Sequence, residues 1–234
     1  PHALRGILSI ETGSWISCRT LYEKLCLDRC EICRDFGGYL YLITCKRVCF
    51  LCLSENRLYL PVTPRKACRE FGLSSDIAKP LPWMRLVPGI YSPTEKKAVK
   101  SILVDHKSCL DTAIALHGSL TAMRKYVSDM EARKLQERRA AGQQAGSDRV
   151  QPLQVVPIDG RSGNPLQFVA IVRMPRLNKE SQQLEWGFHC VGCEKLSRPP
   201  LHYRRQFTTA SFRQHLEQCG EIRNRKHARA DFYT

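Results

Sequence analysis

The chain has 234 residues, carries 37 Lys and Arg against 22 Asp and Glu for a formal net charge of +15, and contains 12 cysteines. Its hydrophobic content of 43% is enough for a folded core, which excludes a wholly disordered chain. No run of 18 apolar residues occurs, and residues 1–10 lack the length and charge of a secretory signal. We therefore expect no membrane segment.

Helical and strand patterns alternate along the chain and predict an α+β fold. Apolar periodicity and capping residues predict helices over 14–28, 64–72, a short segment after Ser74, 106–117, 119–140 and from Thr208 or Thr209 to about Gln218. Strands are predicted over Tyr39–Thr44, Val99–Val104, Phe168–Met174 and Leu184–His189. The four prolines between Pro80 and Pro93 predict an irregular segment. The end of the 119–140 helix has almost no apolar face, so we expect it to be solvated.

The first cysteine cluster has the spacing of a four-cysteine zinc site. Cys30 and Cys33 form one C-x2-C pair, and Cys49 and Cys52 form another after fifteen residues. Each pair places two thiolates on a tight turn, which suits tetrahedral zinc. The predicted strand between the pairs indicates a zinc hairpin followed by a short helix. Cys45 is an alternative ligand, although we favour a buried thiol there.

The second cluster resembles a ββα zinc finger whose last ligand is a cysteine. Cys190 and Cys193 form its C-x2-C pair, and His215 and Cys219 follow at i and i+4, on one face of the predicted helix. This pattern predicts a C2HC site. Twenty-one residues separate Cys193 from His215, where a standard finger has about 12. His227 is an alternative ligand.

Four protein ligands at each site leave no open position for a catalytic water, so we predict two structural Zn2+ ions and no enzyme. Paired cysteines of this kind indicate an intracellular protein, in the nucleus or the cytoplasm. The expected parts of the chain are an N-terminal helical segment (1–29), a four-cysteine zinc module (30–72), a proline-rich segment with helices (73–140), a linker (141–155) and a C2HC zinc-finger module (156–234).

Basic residues concentrate around the second site: residues 195–229 hold nine Lys or Arg against Glu217 and Glu221. A basic zinc finger favours nucleic acid or an acidic protein as partner. The candidate contacts are Arg204, Arg205, Arg213, Arg223, Arg225 and Lys226. A solvated basic surface without a specific ligand explains the same composition. The proline-rich segment Trp83–Tyr91 is a second candidate contact surface.

The cysteine motifs, together with Phe71-Gly-Leu-Ser and Leu86-Val-Pro-Gly-Ile-Tyr-Ser, resemble those of fungal F-box domain-containing proteins. The motif Trp186-Gly-Phe-His-Cys-x2-Cys, with His215-Leu-Glu-Gln-Cys-Gly-Glu-Ile, is similar to the C-terminal part of the same family. The resemblance covers residues 14–227. It implies a protein that recruits a substrate to a cullin-type ubiquitin ligase, with an F-box that docks onto the ligase adaptor.

Too few residues precede Cys30 for a three-helix F-box, so the F-box is expected to be truncated or absent, with Leu4–Leu8 as its remnant. The sequence therefore predicts a non-enzymatic zinc-binding module for protein–protein interaction, namely the substrate-recruiting region of an F-box protein. The alternative is a nucleic-acid-binding zinc-finger protein.

Overall fold

The computed structural model describes residues 1–91, 97–140, 166, 168–194 and 202–228. The predicted linker, 141–155, lies outside these residues. The described chain mixes helices with small antiparallel sheets. The α-helices are α1 (His2–Ser9), α2 (Cys18–Cys26), α3 (Phe50–Glu55), α4 (Pro64–Phe71), α5 (Ser75–Ala78), α6 (His106–His117), α7 (Leu120–Ala140) and α8 (Thr209–Cys219).

The strands are short, and all of the pairs that they form are antiparallel. They are β1 (Tyr39–Tyr41), β2 (Lys46–Val48), β3 (Trp83–Arg85), β4 (Gly89–Ile90), β5 (Lys97–Ala98), β6 (Ile102–Val104), β7 (Ile171–Arg173), β8 (Arg176–Leu177), β9 (Leu184–Glu185), β10 (Phe188–His189), β11 (Gln206–Phe207), β12 (Ile222–Arg223) and β13 (Lys226–His227).

The predicted helix boundaries agree with the structure where a capping residue marks them. Thr63 accepts a hydrogen bond from the Lys66 amide at the start of α4, and Gly72 ends that helix with φ +65°. Gly118, with φ +85°, separates α6 from α7 as expected. Residues 132–140 of α7 are all exposed, which confirms the solvated end. The helix predicted over 14–28 is shorter, because Ser17 caps it at its start.

The prediction of an irregular segment between Pro80 and Pro93 is wrong. Trp83–Arg85 forms β3, which pairs with β6 in the register Met84 to Leu103. Gly89–Ile90 forms β4, which pairs with β5. Pro82 and Pro88 lie just before these strands, so they do not remove the ladder hydrogen bonds that a proline inside a strand would remove.

A three-stranded sheet, in the order β2-β1-β7, joins distant parts of the chain. Strand β1 pairs with β2 through a turn at 42–45, and its other edge pairs with β7 in the register Leu40 to Val172. The first hydrophobic core packs on this sheet and includes Leu40, Ile43, Val48, Met84, Leu103 and Met174. The sheet therefore connects residues of the predicted 30–72 module with residues of the predicted 156–234 module.

Arg47 on β2 reinforces this connection. Its side chain is 0% exposed, and its guanidinium donates hydrogen bonds to the carbonyl oxygens of Lys24, Met174 and Pro175, each at 3.0 Å. The Phe36 ring lies 5.6 Å from the guanidinium carbon. Burial lowers the pKa of Arg47 to about 10, so the side chain remains charged at neutral pH. One buried cation thus holds three separate chain segments together.

A second core packs α4, α6 and α7 against the end of β6, through residues such as Phe71, Val104, Cys109 and Met123. A third, smaller core lies between β10, β11 and α8 and contains Cys190, Cys193 and Phe207. None of the described helices combines the length and the apolar character that crossing a membrane requires.

Candidate metal centres

The first centre is assembled by two tight turns that lie next to each other. Residues 30–33 form a turn in which the Arg34 amide donates to the Cys30 carbonyl oxygen at 3.0 Å, and Arg34 has φ +70°. Cys49 caps the N-terminus of α3, where its Sγ accepts from the Cys52 amide at 3.4 Å. The β1–β2 hairpin brings the two turns together, as the spacing predicted.

The four sulfur atoms of Cys30, Cys33, Cys49 and Cys52 all lie within 4.8 Å of one another. The Sγ atoms of Cys33 and Cys49 are 3.5 Å apart. Zinc–sulfur bonds of about 2.3 Å in a tetrahedron place sulfur atoms roughly 3.8 Å apart, so the group suits zinc. Cys30 and Cys49 are buried, whereas Cys33 is exposed. The predicted four-cysteine set is therefore brought together, with Cys33 exposed and Cys52 half-buried.

The thiols of this centre influence each other strongly. The Cys49 thiol and backbone amides that point at Cys30 lower the pKa of Cys30 to about 4. Burial, followed by the charge of Cys30, raises the pKa of Cys52 to about 12, and the pKa of Cys49 is raised as well. One thiolate therefore forms easily, and its charge opposes the ionisation of its neighbours. A bound dication offsets this electrostatic repulsion because it stabilises all four thiolates together.

Cys45, the alternative ligand, does not belong to this group. It occupies the turn between β1 and β2 with φ +53° and is buried at 2% exposure. Burial raises the pKa of its thiol, which favours the protonated form. The structure thus places Cys45 among the buried thiols, the role that the sequence favoured.

The second centre is assembled by a turn, a helix and a hairpin. Cys190 and Cys193 flank a turn that follows β10, and His215 projects from α8. Thr208 and Ser211 form a capping box at the start of α8. After Gly220 the chain reverses into the β12–β13 hairpin, which carries His227 back to the same place.

Four buried residues form this group, namely Cys190, Cys193, His215 and His227, and their ligand atoms lie within 4.8 Å of one another. His227 Nε2 is 3.2 Å from Cys190 Sγ and 3.2 Å from His215 Nε2. Cys193 Sγ is 3.5 Å from His215 Nε2. Two thiolates and two imidazoles are a standard ligand set for structural zinc.

The C2HC set predicted from the sequence is not confirmed, because His227 takes the place that was given to Cys219. Cys219 is buried at the end of α8, and its Sγ lies 3.6 Å from His215 Nδ1. It therefore contacts the nitrogen on the other side of the ring from the one that faces the group. The i, i+4 spacing placed both residues on one helical face correctly, but it did not decide which atoms converge.

Outer contacts orient the two histidines. His227 Nδ1 donates to the Gly220 carbonyl oxygen at 2.9 Å, which leaves Nε2 free of a proton and facing the group. The Phe207 ring packs 4.5 Å from the His215 ring. A side chain at Gly192 would meet His227 at 2.9 Å, so the glycine of Cys190-Val-Gly-Cys193 permits the close approach of His227. This glycine is the sequence signal that could have favoured His227.

Comparison of the chain with family models, curated proteins and solved structures finds no match. The geometry of the two centres therefore carries the functional conclusion, and membership of the F-box family stays a prediction from the sequence.

The basic residues named from the sequence fall into two groups. Arg205 donates to Asp35 Oδ1 at 2.7 Å, and the Arg204 guanidinium carbon lies 4.3 Å from the Phe50 ring centre. These two arginines connect the second centre to the turns of the first, since Asp35 follows Cys33 closely and Phe50 follows Cys49. The other residues are exposed around the second centre, namely Arg213, Arg223, Arg225 and Lys226. Only this second group offers an open basic surface.

The structure thus holds two groups of cysteine and histidine side chains that are positioned to bind two metal ions, as expected for two structural zinc ions. Each group supplies four protein ligands, which completes a tetrahedral shell. The free energy of metal binding then contributes directly to the folding of the short turns and small cores around each centre.

Proposed function

We propose that this chain is a non-enzymatic interaction module whose binding surfaces are held in shape by two structural zinc ions. The observation that carries the proposal is the pair of four-ligand groups at 30–52 and 190–227. A zinc ion with four protein ligands has no position for a substrate or a reacting water, so its contribution is to the fold. A recruiting protein needs a stable, shaped surface, which such a fold supplies.

By the resemblance of its motifs, we assign the module to the substrate-recruiting region of an F-box protein in a cullin-type ubiquitin ligase. The Leu86–Ser92 motif supports this assignment, because part of it forms an exposed apolar surface. Ile90 is 61% exposed and Val87 is 40% exposed. Trp83, at the base of the segment, packs 5.8 Å from Trp15, which fixes the segment to the fold.

The metal content is tested by native mass spectrometry of the full chain, and we expect two zinc ions. The double variant C49S/C52S is expected to retain one ion, because it removes half of the ligands of the first centre only. C18S/C26S is the matched control, since it removes two thiols outside both groups and should retain two ions. A metal-free chain with disulfides among Cys30, Cys33, Cys49 and Cys52 would contradict the proposal.

The ligase role is tested separately by co-purification with the adaptor. This chain and a version extended upstream are expressed with the adaptor, and we expect recovery with the extended version. If the extended version recovers no adaptor while it holds two zinc ions, the F-box assignment is wrong and the zinc-stabilised module remains. In the extended version, the V87S/I90S variant is expected to bind the adaptor but not the recruited substrate, because it changes only the exposed apolar surface of the Leu86–Ser92 motif.

A further inference from the structure

A cavity of about 280 Å3 opens beside the second metal centre, and neither structural zinc binding nor the contact surface at 83–91 accounts for it. Its lining includes His189, Cys190, Val191, Tyr203 and Arg204. The volume is below the range of about 300–1,000 Å3 that is usual for drug-sized ligands. It therefore suits one small chemical group.

The lining combines an exposed aromatic ring and an exposed aliphatic side chain with hydrogen-bonding groups. The Tyr203 ring is 41% exposed, and Val191 is 49% exposed. His189 Nδ1 lies 3.1 Å from the Arg205 carbonyl oxygen, to which it donates, so Nε2 is the ring nitrogen that remains for another partner. Glu194 adds a carboxylate to the same cavity. Aromatic faces for stacking, together with acceptors for N–H groups, are what nucleobases require.

An exposed basic hairpin contributes a residue to the same metal centre. Cys190 lines the cavity, and its Sγ is 3.2 Å from Nε2 of His227, which belongs to the β12–β13 hairpin. Arg225 and Lys226 are exposed on this hairpin. The cavity and the cations thus belong to one small module that is built around a single metal centre. Base stacking beside a cationic path is the usual arrangement for binding single strands.

We infer that the second metal centre carries a binding site for single-stranded nucleic acid, in which one nucleobase enters the cavity at Tyr203 and the phosphates follow Arg225 and Lys226. The arrangement favours a single strand over a duplex, because a paired base keeps its faces stacked and its edge occupied. It favours nucleic acid over an acidic protein, because carboxylates would satisfy the hairpin but leave the aromatic cavity without a ligand. The site goes beyond adaptor and substrate recruitment and requires only a loaded second centre.

The site is tested by fluorescence anisotropy with the zinc-loaded full chain and a fluorescein-labelled ten-nucleotide oligouridine at low salt. We expect the variant Y203A to weaken binding about tenfold and Y203F to change it less than about twofold, because stacking on Tyr203 is lost only in Y203A. The variant R225A/K226A is expected to weaken binding and to reduce the slope of log K against log salt by about 1.4, since two phosphate contacts are lost. R138A/R139A is the matched control: it removes two exposed cations at the end of α7 and should leave binding unchanged.

Native mass spectrometry reports the zinc content of each variant, so loss of the site is distinguished from loss of the metal. If Y203A also loses zinc, the site is tested in the unaltered chain by crosslinking. A photoactivated 4-thiouridine oligomer should crosslink to the peptide that contains His189 or Tyr203. Parallel titrations with oligothymidine show whether the site binds RNA more tightly than DNA. The inference is overturned if Y203A binds as tightly as the unaltered chain, or if R138A/R139A weakens binding as much as R225A/K226A does. It is also overturned if a duplex binds as tightly as the single strand, or if polyglutamate displaces the oligouridine as well as unlabelled oligouridine does. Crosslinks confined to other peptides would overturn it too.

Discussion

His227 and Cys219 are both buried beside His215, and the direction of single atoms decides which of them a metal ion meets. His227 presents Nε2 to the group, whereas Cys219 contacts His215 from the Nδ1 side. The Cys219 sulfur accepts a weak hydrogen bond from Nδ1–H of His215 and helps to fix the tautomer that leaves Nε2 as the ligand atom. The two residues therefore have different roles within one small core.

We predict that H227A loses the second zinc ion in native mass spectrometry, because one of the four ligands is removed from a buried site. C219A is the matched comparison and should retain two ions, with a zinc affinity lowered by no more than about 100-fold, which is the upper range for an outer-contact residue. Ion loss in C219A together with retention in H227A would restore the C2HC set that the sequence predicted.

Seven of the eight ligands in the two groups follow from local spacing, because a C-x2-C pair or one histidine in a helix depends on residues close in sequence. His227 could be named only as an alternative, since its position depends on the reversal of the chain after Gly220 and on the tight approach to Gly192. Spacing specifies which side chains share a turn or a helical face. It does not specify which residue of a hairpin later in the chain reaches the same site.

Arg47 gives a second prediction for a single residue. The R47M variant should lower the free energy of unfolding by about 3 kcal/mol, because a similar side-chain volume is kept while the carbonyl oxygens of Lys24, Met174 and Pro175 lose a charged donor. K46M, one residue earlier on β2, removes the same charge from a less buried position and should change stability by about 0.5 kcal/mol or less. Urea denaturation of the zinc-loaded proteins measures both values, and equal effects would contradict the role given to Arg47.

At the level of elements, helix ends were predicted well because their signals are chemical and local. Thr63, Pro64 and Gly72 mark α4, and Gly118 marks the break between α6 and α7. Strand β3 was missed because the strand with which it pairs, β6, lies seventeen residues further along, and because the neighbouring prolines favoured an irregular segment. Cross-strand pairing is a property of two segments, so one segment alone carries little of the information.

The glycines at two helix ends provide a matched test of packing. Gly72 and Gly118 both have positive φ, so replacement by alanine strains the backbone in each case. A Cβ at Gly72 would lie 2.8 Å from Tyr126 Cδ1, whereas a Cβ at Gly118 would meet nothing within 4 Å. We predict that G72A is less stable than G118A by about 1 kcal/mol, as overpacking typically costs. Equal unfolding midpoints in urea would show that Tyr126 moves aside without cost.

His106, the first residue of α6, makes part of the stability depend on pH. It is 8% exposed, and burial lowers its pKa below the ordinary 6.5, although Glu70 opposes the shift. In the interval between the two pKa values the unfolded chain binds more protons than the folded one, so stability rises with pH there and is lost as the pH falls below about 6.5. We predict that H106Q, which does not titrate, loses less stability than the unaltered chain between pH 7 and pH 5.5. Parallel stability curves, measured where native mass spectrometry still shows two zinc ions, would contradict this.

On the scale of the whole molecule, the two metal centres belong to one interlocked structure. The predicted separation into a 30–72 module and a 156–234 module followed the cysteine clusters and the composition of residues 141–155, and both are properties of sequence neighbours. The contacts that cross this separation are non-local: β1 pairs with β7, Arg47 bonds to Met174 and Pro175, and Arg205 pairs with Asp35. No local sequence pattern predicts such pairings.

The interlocked sheet predicts that two separately expressed fragments, 1–140 and 156–234, associate without a covalent link. Each fragment carries the ligands of one centre, but fragment 1–140 lacks β7 and two of the three carbonyl acceptors of Arg47, those of Met174 and Pro175. The outer edge of β1 and the Arg47 guanidinium are therefore fully paired only when the other fragment is present. We expect the two fragments to co-elute in size-exclusion chromatography with two zinc ions per complex. V172D in the second fragment should abolish association, because Val172 packs against the first core opposite Leu40. R213A, which changes an exposed residue of α8, should leave association intact. Fragments that elute separately, each stably folded with its own zinc ion, would instead establish two independent modules.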